Sequence, residues 1–134
     1  MTVTGECLCR TVTYEYRGEL NHTRTCHCSR CRKAFGGPGA AMAFIKHEDF
    51  SWTSGEGSLS FYAPDERYGI YFCSTCSSKI CAEHAGKIAG IMLGSLNGNP
   101  DIKLTERIYV GSKASWDEIG GDVPQYQEGP PKAR

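Results

Sequence analysis

The sequence predicts a mostly β, single-domain protein with few short helical turns. Three observations carry this. The chain has 134 residues, enough for one domain with a buried core. Short runs rich in β-branched and aromatic residues recur between turns built from Gly, Pro, Asp and Ser. The 8 cysteines stand in close groups: Cys7 with Cys9, Cys26 with Cys28 and Cys31, and Cys73 with Cys76, leaving Cys81 apart.

The elements follow in order. Thr11–Arg17 alternates β-branched and aromatic residues with polar ones and reads as a strand. Asn21–His27 is a second strand that leads into the central cysteine group. Ser29–Phe35 reads as one or two helical turns, with Ser29 as N-cap and Gly36-Gly37 as the stop. Further strands are expected over Ala40–Lys46, Ser58–Tyr62, Gly69–Cys73, Lys79–Glu83 and Lys87–Leu93. Arg107–Gly111 is the last expected strand and Ser115–Ile119 a final helical turn. No linker divides the chain, so residues 1–126 are expected to form the domain. Residues 127–134, polar and Pro-rich, are expected to form a loose tail.

Composition excludes several classes. Lys+Arg and Asp+Glu each total 15, and this zero balance argues against a nucleic-acid partner. The longest apolar stretch, Ile88–Leu93, is interrupted by Gly90 and is too short to cross a membrane. Met1–Glu6 has neither a basic nor an apolar leader segment, so a cytoplasmic location is expected. A reducing compartment disfavours a disulfide framework. Two cysteines two apart in a strand lie on one face, where a tetrahedral metal accepts both sulfurs more easily than a disulfide links them.

Cys7-Leu8-Cys9 and Cys73-Ser74-Thr75-Cys76 are each sized to supply half of a four-thiolate site. Four thiolates leave no open position, which marks a structural zinc. Such binding is worth on the order of 10–16 kcal/mol, as much as or more than the net stability of a domain. Cys26, Cys28 and Cys31 form a second set. Cys28 and Cys31 share one helix face and Cys26 approaches from the preceding strand. Three thiolates with a fourth position left to water or an incoming thiol is the catalytic pattern. Two other readings stay open: His27 or Cys81 closes the set as a structural site, or the trio is a metal-free redox cluster. Arg30, Arg32 and Lys33 surround the group, either as anchors for the carboxylates of a small acidic thiol such as glutathione or as a solvated helix face. Seven thiolates outweigh two dications, so the loaded protein is mildly acidic. His22, His27, His47 and His84 are candidate bases by residue type alone.

The stretches Gly5–Tyr16 (GECLCRTVTYEY), Cys26–Lys33 (CHCSRCRK) and Tyr71–Ser78 (YFCSTCSS) together resemble the zinc family of glutathione-dependent formaldehyde-activating enzymes, which also includes centromere protein V. Gly94-Ser95-Leu96-Asn97 and Ser112–Ile119 followed by Val123-Pro124 resemble further elements of that family. Arg10 and Ser77 depart from it, standing at turn positions where the family has glycine.

The resemblance implies a β-tent zinc fold and two zinc ions per chain. Cys7, Cys9, Cys73 and Cys76 would hold the structural zinc, and Cys26, Cys28 and Cys31 the reactive one. It also implies a carbon–sulfur lyase resembling S-(hydroxymethyl)glutathione synthase, with a small thiol and a small aldehyde as partners and glutathione as co-substrate. Two rival functions follow from the same residues. One is a non-catalytic zinc module that binds a protein partner, and the other is a labile zinc-binding or zinc-sensing protein.

Overall fold

The computed structural model describes residues 2–131. It is mostly β, with ten strands, one short α-helix and four 3-10 turns among the described residues. In chain order the strands are β1 (Val3–Glu6), β2 (Thr13–Tyr16), β3 (Thr23–Cys26), β4 (Ala40–Phe44), β5 (Phe50–Ser54), β6 (Leu59–Tyr62), β7 (Gly69–Cys73), β8 (Lys79–His84), β9 (Lys87–Met92) and β10 (Glu106–Ile108). The helix α1 spans Ser29–Phe35. The chain forms two compact units, residues 1–20 with 43–102, and residues 21–42 with 103–134.

In the first unit, β1, β2 and β5 form an antiparallel sheet with β2 in the centre. A second antiparallel run pairs β6, β7, β8 and β9 in sequence order through short turns. Strand alternation sends Val12, Tyr14 and Tyr16 inward, where they pack with Val3, Ile80, Ile88 and Ile91. Tyr14 stacks on Phe50 at 5.2 Å, and Trp52 meets Phe50 edge-on at 4.8 Å and Tyr71 at 6.0 Å. Gly5 is opposite Tyr14 in the register, and any Cβ there would fall 2.1 Å from the Tyr14 ring. The glycine therefore admits the ring, whose hydroxyl reaches Ser95 Oγ at 2.6 Å.

In the second unit, β3 and β10 pair in parallel, setting Arg24 opposite Glu106, Thr25 opposite Arg107 and Cys26 opposite Ile108. Thr23 and Thr105 tie the start of this pair: the Thr105 hydroxyl donates to the Thr23 carbonyl, and the Thr23 hydroxyl to that of Lys103. Residues 124–126 run along the far side of β10, where the Arg107 amide donates to the Pro124 carbonyl.

Several sequence expectations change. No strand was expected over Val3–Glu6 or Phe50–Ser54, yet both form, each completed by a partner strand distant in sequence. The expected strand Arg107–Gly111 stops at Ile108, because Tyr109 takes a left-handed conformation (φ 55) and a 3-10 turn follows. Ser115–Ile119 is not helical. One turn bond, from the Asp117 amide to the Ala114 carbonyl, forms ahead of Gly120-Gly121. Gln127 and Glu128, expected in the loose tail, are held by backbone bonds from Gly111 and Tyr109. Residues 132–134 of that tail lie outside the described residues.

Candidate metal centres

The first unit brings Cys7, Cys9, Cys73 and Cys76 together, with all four sulfurs within 4.8 Å of one another. Cys7 and Cys9 are not in a strand as the sequence reading had them. They lie in a tight turn just after β1, where the Arg10 amide donates to the Cys7 carbonyl at 3.0 Å. Arg10 then adopts φ 66. The second pair repeats the plan at the end of β7: the Ser77 amide donates to the Cys73 carbonyl at 2.8 Å and Ser77 adopts φ 67. The positive φ explains why a glycine suits both positions.

Backbone amides point at the buried sulfurs. Val12 N–H donates to Cys7 Sγ at 3.3 Å and Thr75 N–H to Cys73 Sγ at 3.4 Å. The Ser78 hydroxyl lies 3.2 Å from Cys76 Sγ and holds that thiol down to about 5. Thr11 acts likewise on Cys9, while burial pushes Cys7 up. The donor set therefore fits a metal. A tetrahedral zinc with bonds near 2.3 Å sets its sulfurs about 3.8 Å apart, and Cys7 Sγ to Cys9 Sγ is 3.6 Å and Cys9 Sγ to Cys73 Sγ 3.8 Å. None of the eight cysteines is in a disulfide.

The second unit brings Cys26, Cys28 and Cys31 within the same 4.8 Å limit, all half-buried. Cys26 closes β3, and Cys31 lies one turn into α1. Cys28, rather than the expected Ser29, is the N-cap. Its sulfur accepts from the Cys31 amide at 3.4 Å, and Gly36 ends the helix in a left-handed conformation. Gly39 packs on this turn so closely that a Cβ would lie 2.2 Å from the Cys26 carbonyl oxygen. A hydrogen bond from Cys31 is the main influence that lowers Cys26, and the same bond pushes Cys31 up. Among the described residues no fourth His, Cys, Asp or Glu joins the trio.

Of the predicted anchors, Arg30 and Lys33 are exposed on α1, whereas Arg32 is half-buried with its Nε unpartnered. The sequence reading did not single out Arg24. It shares a face of β3 with Cys26, pairs with Glu106 at 2.7 Å and favours the Cys26 thiolate. The i, i+2 spacing before Cys26 was the available signal.

His27 does not join the three sulfurs. Its Nε2 meets the Thr25 hydroxyl at 2.9 Å and its Nδ1 faces Asp117 Oδ2 at 3.8 Å. Burial lowers its pKa, against the opposing pull of the Pro38 carbonyl and Asp117. The Pro38 carbonyl also faces the ring, without closing a hydrogen bond at Nδ1. Cys81 joins neither set. It is wholly buried in the core of the first unit, and burial raises its pKa well above that of a free thiol.

No helix among the described residues is long and apolar enough to cross a membrane. No curated protein matches the chain. Among solved structures it is similar to a Rhodobacter sphaeroides protein known from a crystal structure, with a TM-score of 0.60 and 25% sequence identity, covering 73% of this chain and 91% of that one. The family model described as glutathione-dependent formaldehyde-activating enzyme matches residues 2–112. With both cysteine sets inside that span, the chain belongs to the family of glutathione-dependent formaldehyde-activating enzymes.

Proposed function

We propose that the protein is a zinc-dependent carbon–sulfur lyase that adds a small aldehyde to a glutathione-type thiol, or removes it. The observation that carries this reading is the trio Cys26, Cys28 and Cys31: three half-buried sulfurs close enough to share one ion, with one tetrahedral corner that no described His, Cys, Asp or Glu fills. Family membership supports the substrate class. In this reading Cys7, Cys9, Cys73 and Cys76 hold a closed structural zinc and the trio holds a second. Bound there, zinc supplies Lewis acidity and favours the thiolate form of an incoming thiol.

The chain's own residues do the rest. Arg24, held by Glu106 on the same strand face, favours the Cys26 thiolate. Arg32, with Arg30 and Lys33 beside it on α1, offers cations for the carboxylates of a peptide thiol. The bond that forms joins thiol sulfur to aldehyde carbon, and the thiol proton ends on the former carbonyl oxygen. Nothing is oxidised or reduced.

The test compares wild type with Cys28→Ser, measuring zinc by elemental analysis and the exchange of formaldehyde with glutathione by NMR. Wild type is expected to hold two zinc ions and to accelerate adduct exchange saturably. The variant is expected to hold one and to show only the spontaneous rate. Two zinc ions with no acceleration of any thiol–aldehyde pair would overturn the lyase reading in favour of a labile zinc-binding protein.

A further inference from the structure

Strand alternation sends Thr25 to the face of β3 opposite the one that carries Cys26. There it lines a cavity of about 290 Å³ in the second unit, at the small end of the ~300–1,000 Å³ range of ligand pockets. The cavity lies outside both cysteine sets. Its walls are mostly apolar or backbone, from residues 38–41 and Ile119-Gly120, with the exposed Glu118 beside them. Its polar side is made by Thr25, His27, Arg107 and Asp117.

Hydrogen bonds hold this polar side in place but leave it incomplete. Arg107 Nη1 donates to the Thr25 hydroxyl at 3.3 Å, and that hydroxyl also meets His27 Nε2. The Arg107 backbone is fixed on both sides, by Thr25 in β3 and by Pro124 and Tyr126. Three buried atoms around the cavity nevertheless lack a hydrogen-bond partner: Arg107 Nε, and His27 Nδ1 and Asp117 Oδ2, which face each other at 3.8 Å, too far to close one. His27 is 5% exposed, with Asp117 and the Pro38 carbonyl facing its ring, and a polar group that enters the cavity can bridge the gap to Asp117. Buried polar atoms left unpaired cost stability, and three around one cavity are an exception that needs a cause.

The charges narrow the ligand. One guanidinium and two carboxylates line one small space, Asp117 half-buried within it and Glu118 exposed at its side. A simple anion would answer Arg107 but be repelled by Asp117, and a simple cation would do the reverse. A group that carries a carboxylate and an ammonium on one carbon answers both, with apolar wall left for the rest of the molecule. We propose that this cavity binds an α-amino-acid zwitterion, its carboxylate on Arg107 and its ammonium on Asp117, with His27 between them.

Two sources offer that chemistry. One is a free amino acid. The other is the γ-glutamyl end of a glutathione-type thiol, and this arm rests on the lyase reading above. Calorimetry on the zinc-loaded protein separates them, using L-glutamate and S-methylglutathione, whose capped sulfur cannot act as a thiol. Saturable binding of either ligand is expected, at least tenfold weaker in Arg107→Gln and in Asp117→Asn. N-acetyl-L-glutamate, which lacks the ammonium, is expected to bind weakly and to be indifferent to Asp117→Asn.

Binding of L-glutamate supports the site whether or not the protein turns over any thiol. Binding of S-methylglutathione alone supports it as an anchor for the peptide thiol. If neither ligand binds wild type, or both bind the two variants as well as wild type, the proposal is overturned and water fills the cavity. Zinc content and thermal melting check the fold, and the isosteric Asp117→Asn carries the test if Arg107→Gln does not fold.

Discussion

The two cysteine sets use the same donor atom for different structural ends. The four-cysteine set draws on two turns far apart in the chain, with Cys9 and Cys73 separated by 64 residues. It sits where β1 and β7 end, and two of its sulfurs are wholly buried. The three-cysteine set comes from six consecutive residues across one strand end and one helix cap. A cross-link over a long loop removes much more disorder from the unfolded chain than one within a single turn. A metal at the first set would therefore do more to hold the fold than one at the second, which is the division of roles proposed above.

Breaking each set in turn gives the largest expected contrast. Cys73→Ser is expected to remove metal-linked stability on the order of 10 kcal/mol, enough to abolish cooperative unfolding in a domain whose net stability is about 5–15 kcal/mol. Cys28→Ser is expected to lose one metal ion and keep a sharp thermal transition. Melting followed by circular dichroism, with zinc content measured in parallel, checks both. Equal losses of stability would mean that the two sets share the structural burden.

A smaller effect sharpens the picture of the four-cysteine turns. Arg10 and Ser77 both hold left-handed backbone without being glycine. Arg10→Gly and Ser77→Gly are each expected to raise stability by up to about 1 kcal/mol, relief of backbone strain being partly offset by the added freedom of the unfolded chain. Arg10 also makes an exposed ion pair with Glu6, at 3.1 Å and worth little, so the gain should be cleaner at Ser77. Denaturant midpoints at constant slope measure it.

The smallest expected effect lies away from both sets. The Tyr71 hydroxyl donates to Glu83 Oε2 at 2.7 Å, and this bond, with burial, pushes Tyr71 up to about 12. The folded value lies above the unfolded one of about 10, so the stabilisation is complete below that pH and is lost as pH rises through 12. Tyr71→Phe is expected to cost about 1 kcal/mol near neutrality and to abolish that alkaline loss. Urea midpoints compared between neutral and strongly alkaline pH test the sign.

What was legible in the sequence was local. The seven clustered cysteines declared themselves by spacing, because ligands two or three residues apart need only one turn to converge. The helix Ser29–Phe35 was legible from its glycine stop. Its cap was misread by one residue because a cysteine sulfur, not a usual capping oxygen, accepts the amide. The strand β1 was hidden by Gly5, whose purpose shows only once the Tyr14 ring lies across it. The meeting of Thr25 and His27 with Arg107 and Asp117 was not legible at all. It depends on the parallel register of β3 with β10, and no short-range pattern encodes that register.

That register also sets an order of assembly. Cys26, Cys28 and Cys31 leave the ribosome well before Cys73 and Cys76, and the strand that carries Cys26 meets β4 soon after, but its parallel neighbour β10 exists only when Glu106–Ile108 has been made. The four-cysteine set is complete in sequence about thirty residues earlier, roughly a few seconds of synthesis. The strand that carries Cys26 thus still has one open edge when the four-cysteine set is complete in sequence. A nascent chain stopped between the two points should capture metal at the four-cysteine set while β3 still lacks its second neighbour.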